Sequence, residues 1–292
     1  MVNHSVSQRI KQLQIKTRKI LSGTMLGDRS TATKGSGLEF DQLREYQSGD
    51  DLRFIDWRAT AKTGRLLTRE YFEERNHNIL IALDISSSSF KYGKHSYMSE
   101  LAAIFALVAE YGKDMVGLVL FSDQIHVEKQ ISGGGCHTFK ILETIFNFTQ
   151  PVQPYKTDLS CVFDYLKQKI KCKCLVIIIS DFIDYNNYQR LLKAAVMRHE
   201  IVAIRCLDEM ERSLPDVGII PVIDPETGAM TTLDTRTKFG AGLKGGINYI
   251  LHNRVEAQNQ FFKRNRIDLL QINNWQQMVP EVIKFFRKRL IY

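Results

Sequence analysis

Prolines are scarce, six in 292 residues, and nowhere do they gather with glycine and serine over a long span. A disordered linker between separate modules is therefore not expected. Long apolar runs are also missing. The strongest are Cys174–Ile179 and Ile201–Ile204, whereas a bilayer-spanning helix needs about 20 such residues. The N-terminal MVNHSVSQRIKQLQIKTRK lacks the apolar core of a secretory signal, so a cytoplasmic protein is expected. The five cysteines, Cys136, Cys161, Cys172, Cys174 and Cys206, contain no Cys-x-x-Cys pair. Cys172 and Cys174 stand too close for a zinc knuckle, and reduced, buried thiols are expected. No Gly-Lys-Ser/Thr follows Gly133-Gly134-Gly135, which excludes a Walker loop and leaves a plain turn. Neither His-Glu-x-x-His nor Gly-x-Ser-x-Gly occurs, so a zincin helix and a hydrolase elbow are unsupported.

What is present suits a globular chain. Hydrophobic residues make up 44% and charged residues 25%, enough for one large α/β domain with flanking pieces. The net charge is +8, with the excess visible in Arg9–Lys19, Lys263–Arg266 and Arg287–Arg289. Such clusters can bind nucleic acid or make peripheral contact with an anionic membrane. No base-reading motif accompanies them here. Solvated helix faces or contacts to an acidic protein are the simpler reading.

Hydrophobic spacing divides the chain into three parts. Residues 1–36 read as an N-terminal helix, with Ile10, Leu13, Ile20 and Leu21 at helical spacing, followed by a Gly/Ser/Thr-rich flexible loop from Ser22. Residues 37–75 form a dense polar-aromatic block with β character over Leu66–Glu74. From residue 76 to 292 the pattern changes. Continuous Val/Ile/Leu strands at Asn78–Leu83, Met115–Phe121, Cys174–Ser180, Ile201–Leu207 and Ile267–Ile272 alternate with helices. The helices are expected at Ser96–Tyr111, Thr138–Phe148, Leu159–Ile170, Tyr188–Arg198, about Ile247–Arg264, and Val279–Leu290. Ser96–Tyr111 places Met98, Leu101, Phe105 and Val108 on one face, as an amphipathic helix would. Apolar strands alternating with helices predict an α/β fold, a doubly wound, mostly parallel sheet with helices on both faces. Val217–Ile223 and Met230–Leu233 flank Asp224-Pro225-Glu226-Thr227-Gly228 and predict a β-hairpin insertion near 217–235.

The chemistry gathers where strands end. Ile79–Leu83 runs into Asp84, then into a loop with Ser86 and Ser88. In a doubly wound sheet, ligands bind at the carboxyl ends of the strands. A carboxylate and hydroxyls at alternate positions of an extended loop can point to one side, and hard oxygen donors of this kind suit Mg²⁺, with Mn²⁺ a second fit. Cys174–Ser180 ends likewise in Asp181. If the two strands are neighbours, their carboxylates repel unless a cation lies between them. Thr157, just before the Leu159 helix, offers a further hydroxyl. The bland alternative is that Asp84 only caps the following helix.

Asp84, Ser86, Ser88, Thr157 and Asp181, in that order, resemble the metal-ion-dependent adhesion site (MIDAS) of von Willebrand factor type A (vWA) domains. The resemblance implies hydroxyls on the metal, acids acting directly or through water, and one coordination position open to a partner's carboxylate. A second resemblance covers roughly residues 35–292. Gly37-Leu38-Glu39-Phe40-Asp41-Gln42-Leu43-Arg44-Glu45-Tyr46 and Gly49-Asp50-Asp51-Leu52-Arg53-Phe54-Ile55-Asp56-Trp57 look like the signature of the bacterial family called domain of unknown function fifty-eight (DUF58). There the block precedes a type A-like domain. Such proteins are commonly encoded beside MoxR-type AAA+ ATPases, which implies an ATPase partner, with client proteins, in complex assembly or remodelling.

Within the signature block, Arg44, Asp50, Asp51, Arg53 and Asp56 stand among Phe40, Leu43, Tyr46, Phe54 and Trp57. Charges of both signs packed among aromatics suggest a salt-bridged structural block, and a partner-binding surface is the alternative. Acid/base work by Asp50 and Asp51 is disfavoured, because adjacent side chains point in different directions. The expectation is thus a non-enzymatic, metal-dependent interaction module without catalytic residues. A Mg²⁺-dependent enzyme acting on a phosphoester is one alternative, and it lacks a recognisable base or nucleophile. Nucleic-acid binding through the basic ends is another.

Overall fold

A computed structural model describes residues 10, 11, 13, 14, 34–72, 77–149, 155–184, 188–208, 218–223, 230–234, 238–272 and 275–290. The chain divides into two compact units, one of residues 23–76 and one of residues 1–22 with 77–292.

In the smaller unit, β1 (Lys34–Glu45) pairs antiparallel with β2 (Leu67–Phe72). Lys34–Gly37, expected as loop, are therefore strand. Between them lie a 3-10 turn (Leu52–Phe54) and α1 (Trp57–Thr63). Helix α1 starts where the Asp56 carboxylate accepts the free amides of Arg58 and Ala59, which leave no partner inside the helix. It stops at Gly64, in the left-handed conformation at φ 72° that glycine adopts without strain.

In the larger unit the strands are β3 (Asn78–Asp84), β4 (Met115–Phe121), β5 (Ile125–Ser132), β6 (Leu175–Ser180), β7 (Glu200–Cys206) and β10 (Asp268–Ile272). They form one sheet in the order β10-β7-β6-β3-β4-β5, parallel except that β5 runs antiparallel to β4. The helices are α2 (Lys94–Tyr111), α3 (Gly135–Asn147), α4 (Ser160–Lys169), α5 (Gln189–Val196), α6 (Lys238–Arg264) and α7 (Met278–Leu290). A hairpin of β8 (Ile219–Ile223) and β9 (Met230–Asp234) forms a separate antiparallel pair. The fold class is the expected mixed α/β sheet.

Strand alternation sorts the core into two layers. Ile79, Ile81 and Leu83 pack with α2, α3 and the helical residues Ile10 and Leu13. Leu80 and Ala82 face the other way, onto α4, α5 and Phe262 of α6. Both faces are covered, which is why the central strands read as unbroken apolar runs.

Several expectations need correction. Strand β5 was not anticipated. Helix α2 is buried nearly all round, from Leu101 to Leu107 without a break, rather than along one stripe. Helix α6 begins nine residues before the expected Ile247 (Lys238, against 247). Cys136 and Cys172 are exposed, and Cys161 is half-buried; only Cys174 and Cys206 are the buried thiols foreseen. The hairpin turn at 224–228, and most of the basic Arg9–Lys19 stretch, lie outside the described residues.

Candidate metal centre

The parallel register of β3 and β6 pairs Leu83 with Ile179. One step further along, both strands end together, and Asp84 meets Ser180 and Asp181. Asp84 Oδ2 accepts the Ser180 hydroxyl at 2.6 Å, and Oδ1 accepts the Ser86 amide at 2.8 Å. Ser86 Oγ and Ser88 Oγ lie 3.1 Å apart. Ser88 Oγ donates to Asp181 Oδ2 at 2.8 Å, while Asp181 Oδ1 accepts the Ile183 amide at 2.9 Å. Four of the five sequence-derived residues thus form one continuous chain of contacts, and all four are buried.

The loop after β3 is built to hold this shape. Ser89 donates to the Ser86 carbonyl from both its amide (3.0 Å) and its hydroxyl (2.7 Å), opening a 3-10 turn over Ser87–Gly93. Ser87 and Tyr155 exchange bonds, Ser87 N–H to the Tyr155 carbonyl at 3.0 Å and Tyr155 N–H to Ser87 Oγ at 2.8 Å. This clamps the segment that carries the fifth residue, Thr157, also buried. The same segment is anchored by Asp158 N–H to the Ser122 carbonyl and by Leu159 N–H to Asp184 Oδ2. The local folding thus serves three loops, from β3, before α4 and after β6, that meet at the carboxyl ends of the central strands.

Electrostatically the site is short of positive charge. Burial, and next the neighbouring Asp181 charge, push the Asp84 carboxyl up to about 6, against the pull of its bonds from Ser180 and Ser86. A dication would remove both costs, since it compensates desolvation and repulsion together. Among the described residues no group of three or more His, Cys, Asp or Glu side chains is placed to hold a metal. The candidate centre has two carboxylates, and its remaining donors are hydroxyls. That donor set fits a hard cation such as Mg²⁺ or Mn²⁺ and not zinc or copper.

Two participants were missed in the sequence. Ser180 orients Asp84, and its Oγ in turn accepts the Phe182 amide at 3.0 Å. Its position was legible, because it alternates with Val176 and Ile178 onto one face. Lys94, the first residue of α2, donates from Nζ to Asp181 Oδ2 at 2.9 Å, with 1% of its side chain exposed. A charged residue eight positions beyond Ser86 carried no signal of its own. On β7, opposite Ser180 in register, the fully buried Arg205 donates to Asn259 Oδ1 at 2.8 Å.

The other predicted group lies in the smaller unit, engaged in ion pairs. Arg44 grips both oxygens of Asp50, at 2.6 and 2.7 Å, and Arg53 pairs with Asp51 at 2.7 Å. Asp56 caps α1 and accepts from Arg69 at 2.9 Å. Trp57 and Leu43, expected to pack around these charges, are exposed.

The molecule is thus an α/β protein with an oxygen-rich, carboxylate-paired cluster at the carboxyl ends of two central parallel strands. The family described as "Protein of unknown function DUF58" matches residues 42–243, more than half of the chain, and the chain belongs to that family. It is 29% identical over 226 residues to the uncharacterized protein Rv1480 of Mycobacterium tuberculosis, covering 76% of this chain and 71% of that protein. The uncharacterized protein MAV169 of Mycobacterium avium is 36% identical over 88 residues, 30% of this chain and 52% of its own. Among solved structures, an aerotolerance-related membrane protein from Bacteroides fragilis superposes with a TM-score of 0.46 at 13% identity, covering 73% of this chain and 99% of that one. BatB from Bacteroides thetaiotaomicron gives 0.45 at 14% identity, covering 72% and 99%. Among the described residues no helix is long and apolar enough to cross a membrane.

Proposed function

We propose that this chain is a non-enzymatic protein-interaction module of the MIDAS type. It works through one divalent cation, Mg²⁺ or Mn²⁺, held by Asp84, Ser86, Ser88, Thr157 and Asp181. The observation that carries the reading is the unbroken run of contacts from Asp84 through Ser86 and Ser88 to Asp181, which joins two buried carboxylates through the Ser86 amide and the hydroxyls of Ser86 and Ser88. When bound, the cation supplies a coordination position for an acidic side chain of a partner. The chain's own residues do the rest. Ser180 and the Ser86 amide fix both oxygens of Asp84. The Ile183 amide fixes one oxygen of Asp181 and turns the other toward the serines. The Ser87–Tyr155 clamp ties the segment that carries Thr157 to the loop after β3. The resemblance of the signature block supports a MoxR-type AAA+ ATPase as the partner, together with a client protein, in complex assembly or remodelling in the cytoplasm.

Calorimetric titration of the chelator-treated protein with MnCl₂ and MgCl₂ tests the reading. Wild type is expected to take up one ion. Asp84→Asn keeps the size of the side chain and removes a buried charge, and it is expected to weaken uptake by at least about tenfold, given the several kcal/mol that buried charge interactions carry. Equal uptake by wild type and Asp84→Asn would overturn it.

A further inference from the structure

The deepest cation in this cluster belongs to the protein itself. Lys94 is the first residue of α2, after Gly93 at φ 72°, and its side chain is 1% exposed. Two effects oppose a charge there. Burial strips the ammonium of water, and the first turn of a helix is the positive end of its dipole. A negative side chain, not a positive one, is stabilised in the first turn of a helix for that reason. What compensates Lys94 is Asp181, at 2.9 Å and fully buried.

The contact falls on a specific oxygen. Asp181 Oδ1 is turned to the Ile183 amide. Oδ2 receives Ser88 Oγ at 2.8 Å and Lys94 Nζ at 2.9 Å. A carboxylate oxygen offers two lone-pair sites, so in this arrangement both sites of the oxygen that serves the serine pair are taken. A dication drawing on Oδ2 would also stand close to an ammonium in a site shielded from water, where like charges repel strongly.

We propose that Lys94 is the built-in counter-cation of the centre. Its ammonium holds Asp181 when no metal is present and competes with the divalent cation for Oδ2, so metal binding requires Lys94 to let go. This rests on the reading of the same cluster as a metal centre. Charge counting agrees. Asp84 and Asp181 ionised beside Lys94 sum to −1, and a dication added with Lys94 in place brings the buried cluster to +1. With the dication bound, the cluster reaches zero when Lys94 withdraws. Lys94 therefore sets metal affinity below what the oxygen donors alone would give, and it makes occupancy responsive to metal concentration.

The test compares wild type, Lys94→Met and Lys94→Arg, each full-length and chelator-treated. The readouts are calorimetric titration with MnCl₂ and thermal melting in EDTA and in excess MnCl₂. Lys94→Met is expected to bind Mn²⁺ at least about tenfold tighter than wild type, since a competing buried charge is removed. It is also expected to melt below wild type in EDTA, with the gap closing in Mn²⁺. Lys94→Arg keeps the charge and is expected to bind within about threefold of wild type. Lys94→Gln gives the same charge-free comparison should the methionine variant not fold. If wild type binds Mn²⁺ and Lys94→Met and Lys94→Gln bind no tighter, the competition is overturned while the metal centre stands. If none of the proteins takes up Mn²⁺ at millimolar concentration, the metal centre itself falls, and Lys94–Asp181 is an ordinary buried ion pair.

Discussion

His199 shows how a single side chain couples this fold to pH. It is buried, with Nδ1 3.3 Å from Cys174 Sγ, and its Nε2 has no hydrogen-bond partner. Burial, and then the adjacent Arg198 charge, hold the imidazole below its ordinary value of 6.5. The folded protein therefore binds this proton less readily than the unfolded chain does, and stability is lost as pH falls through the range below 6.5. Replacing His199 with Gln removes the titration. Melting followed from pH 7.5 to 5 is expected to show a shallower decline for His199→Gln than for wild type, and parallel curves would assign the acid sensitivity elsewhere. The same scale shows what could be read in advance. Asp84, Ser86, Ser88 and Asp181 stood out because each follows or ends an apolar strand, where a polar side chain has no packing role. Lys94 did not, because its partner lies 87 residues away, and only the fold brings a helix start to the end of β6.

At the scale of elements, legibility followed burial. Strands β3, β4, β6 and β7 are covered on both faces, so their middle positions are almost all apolar and the run is plain in the sequence. Strand β5 is an edge strand. Its residues alternate between half-buried and exposed, Ile125, Val127, Lys129 and Ile131 against Glu128, Gln130 and Ser132, and the polar half hid the period of two. The way β5 meets β4 depends on Gly117. A Cβ there would lie 2.8 Å from Ile131 Cγ1, 3.0 Å from the Lys129 carbonyl oxygen and 3.1 Å from the Ile131 amide, where the register slips between Val116 and Leu118. Two of the three obstacles are backbone, so side-chain rotation cannot clear them. Gly117→Ala is expected to cost about 1–3 kcal/mol through overpacking, read as a lower denaturant midpoint. Trimming Ile131 to Ala in the same chain is expected to restore only part of the loss. Full restoration would show that the side chain, not the strand spacing, sets the limit.

For the whole molecule, the family match at 42–243 runs across both compact units, and two features compete as the point of recognition. One is the carboxylate cluster of the larger unit. The other is the smaller unit's exposed Trp57 and Leu52, beside the solvent-facing Arg53–Asp51 pair. Exposed ion pairs contribute little binding energy, whereas tryptophan is prominent among residues that dominate protein interfaces, so Trp57→Ser is the sharper probe of that surface. Tagged wild type, Asp84→Asn and Trp57→Ser, each with Mg²⁺ and with EDTA, can be presented to a MoxR-type ATPase from the same source. A partner carboxylate that completes the metal shell is lost with the metal, however much other surface is buried, because its own desolvation is then uncompensated. Retention is therefore expected for wild type and Trp57→Ser in Mg²⁺, and for none of the three in EDTA. Asp84→Asn is expected to fail in both. If EDTA leaves retention unchanged and Trp57→Ser abolishes it, recognition belongs to the smaller unit, and the carboxylate cluster is a structural feature of the sheet.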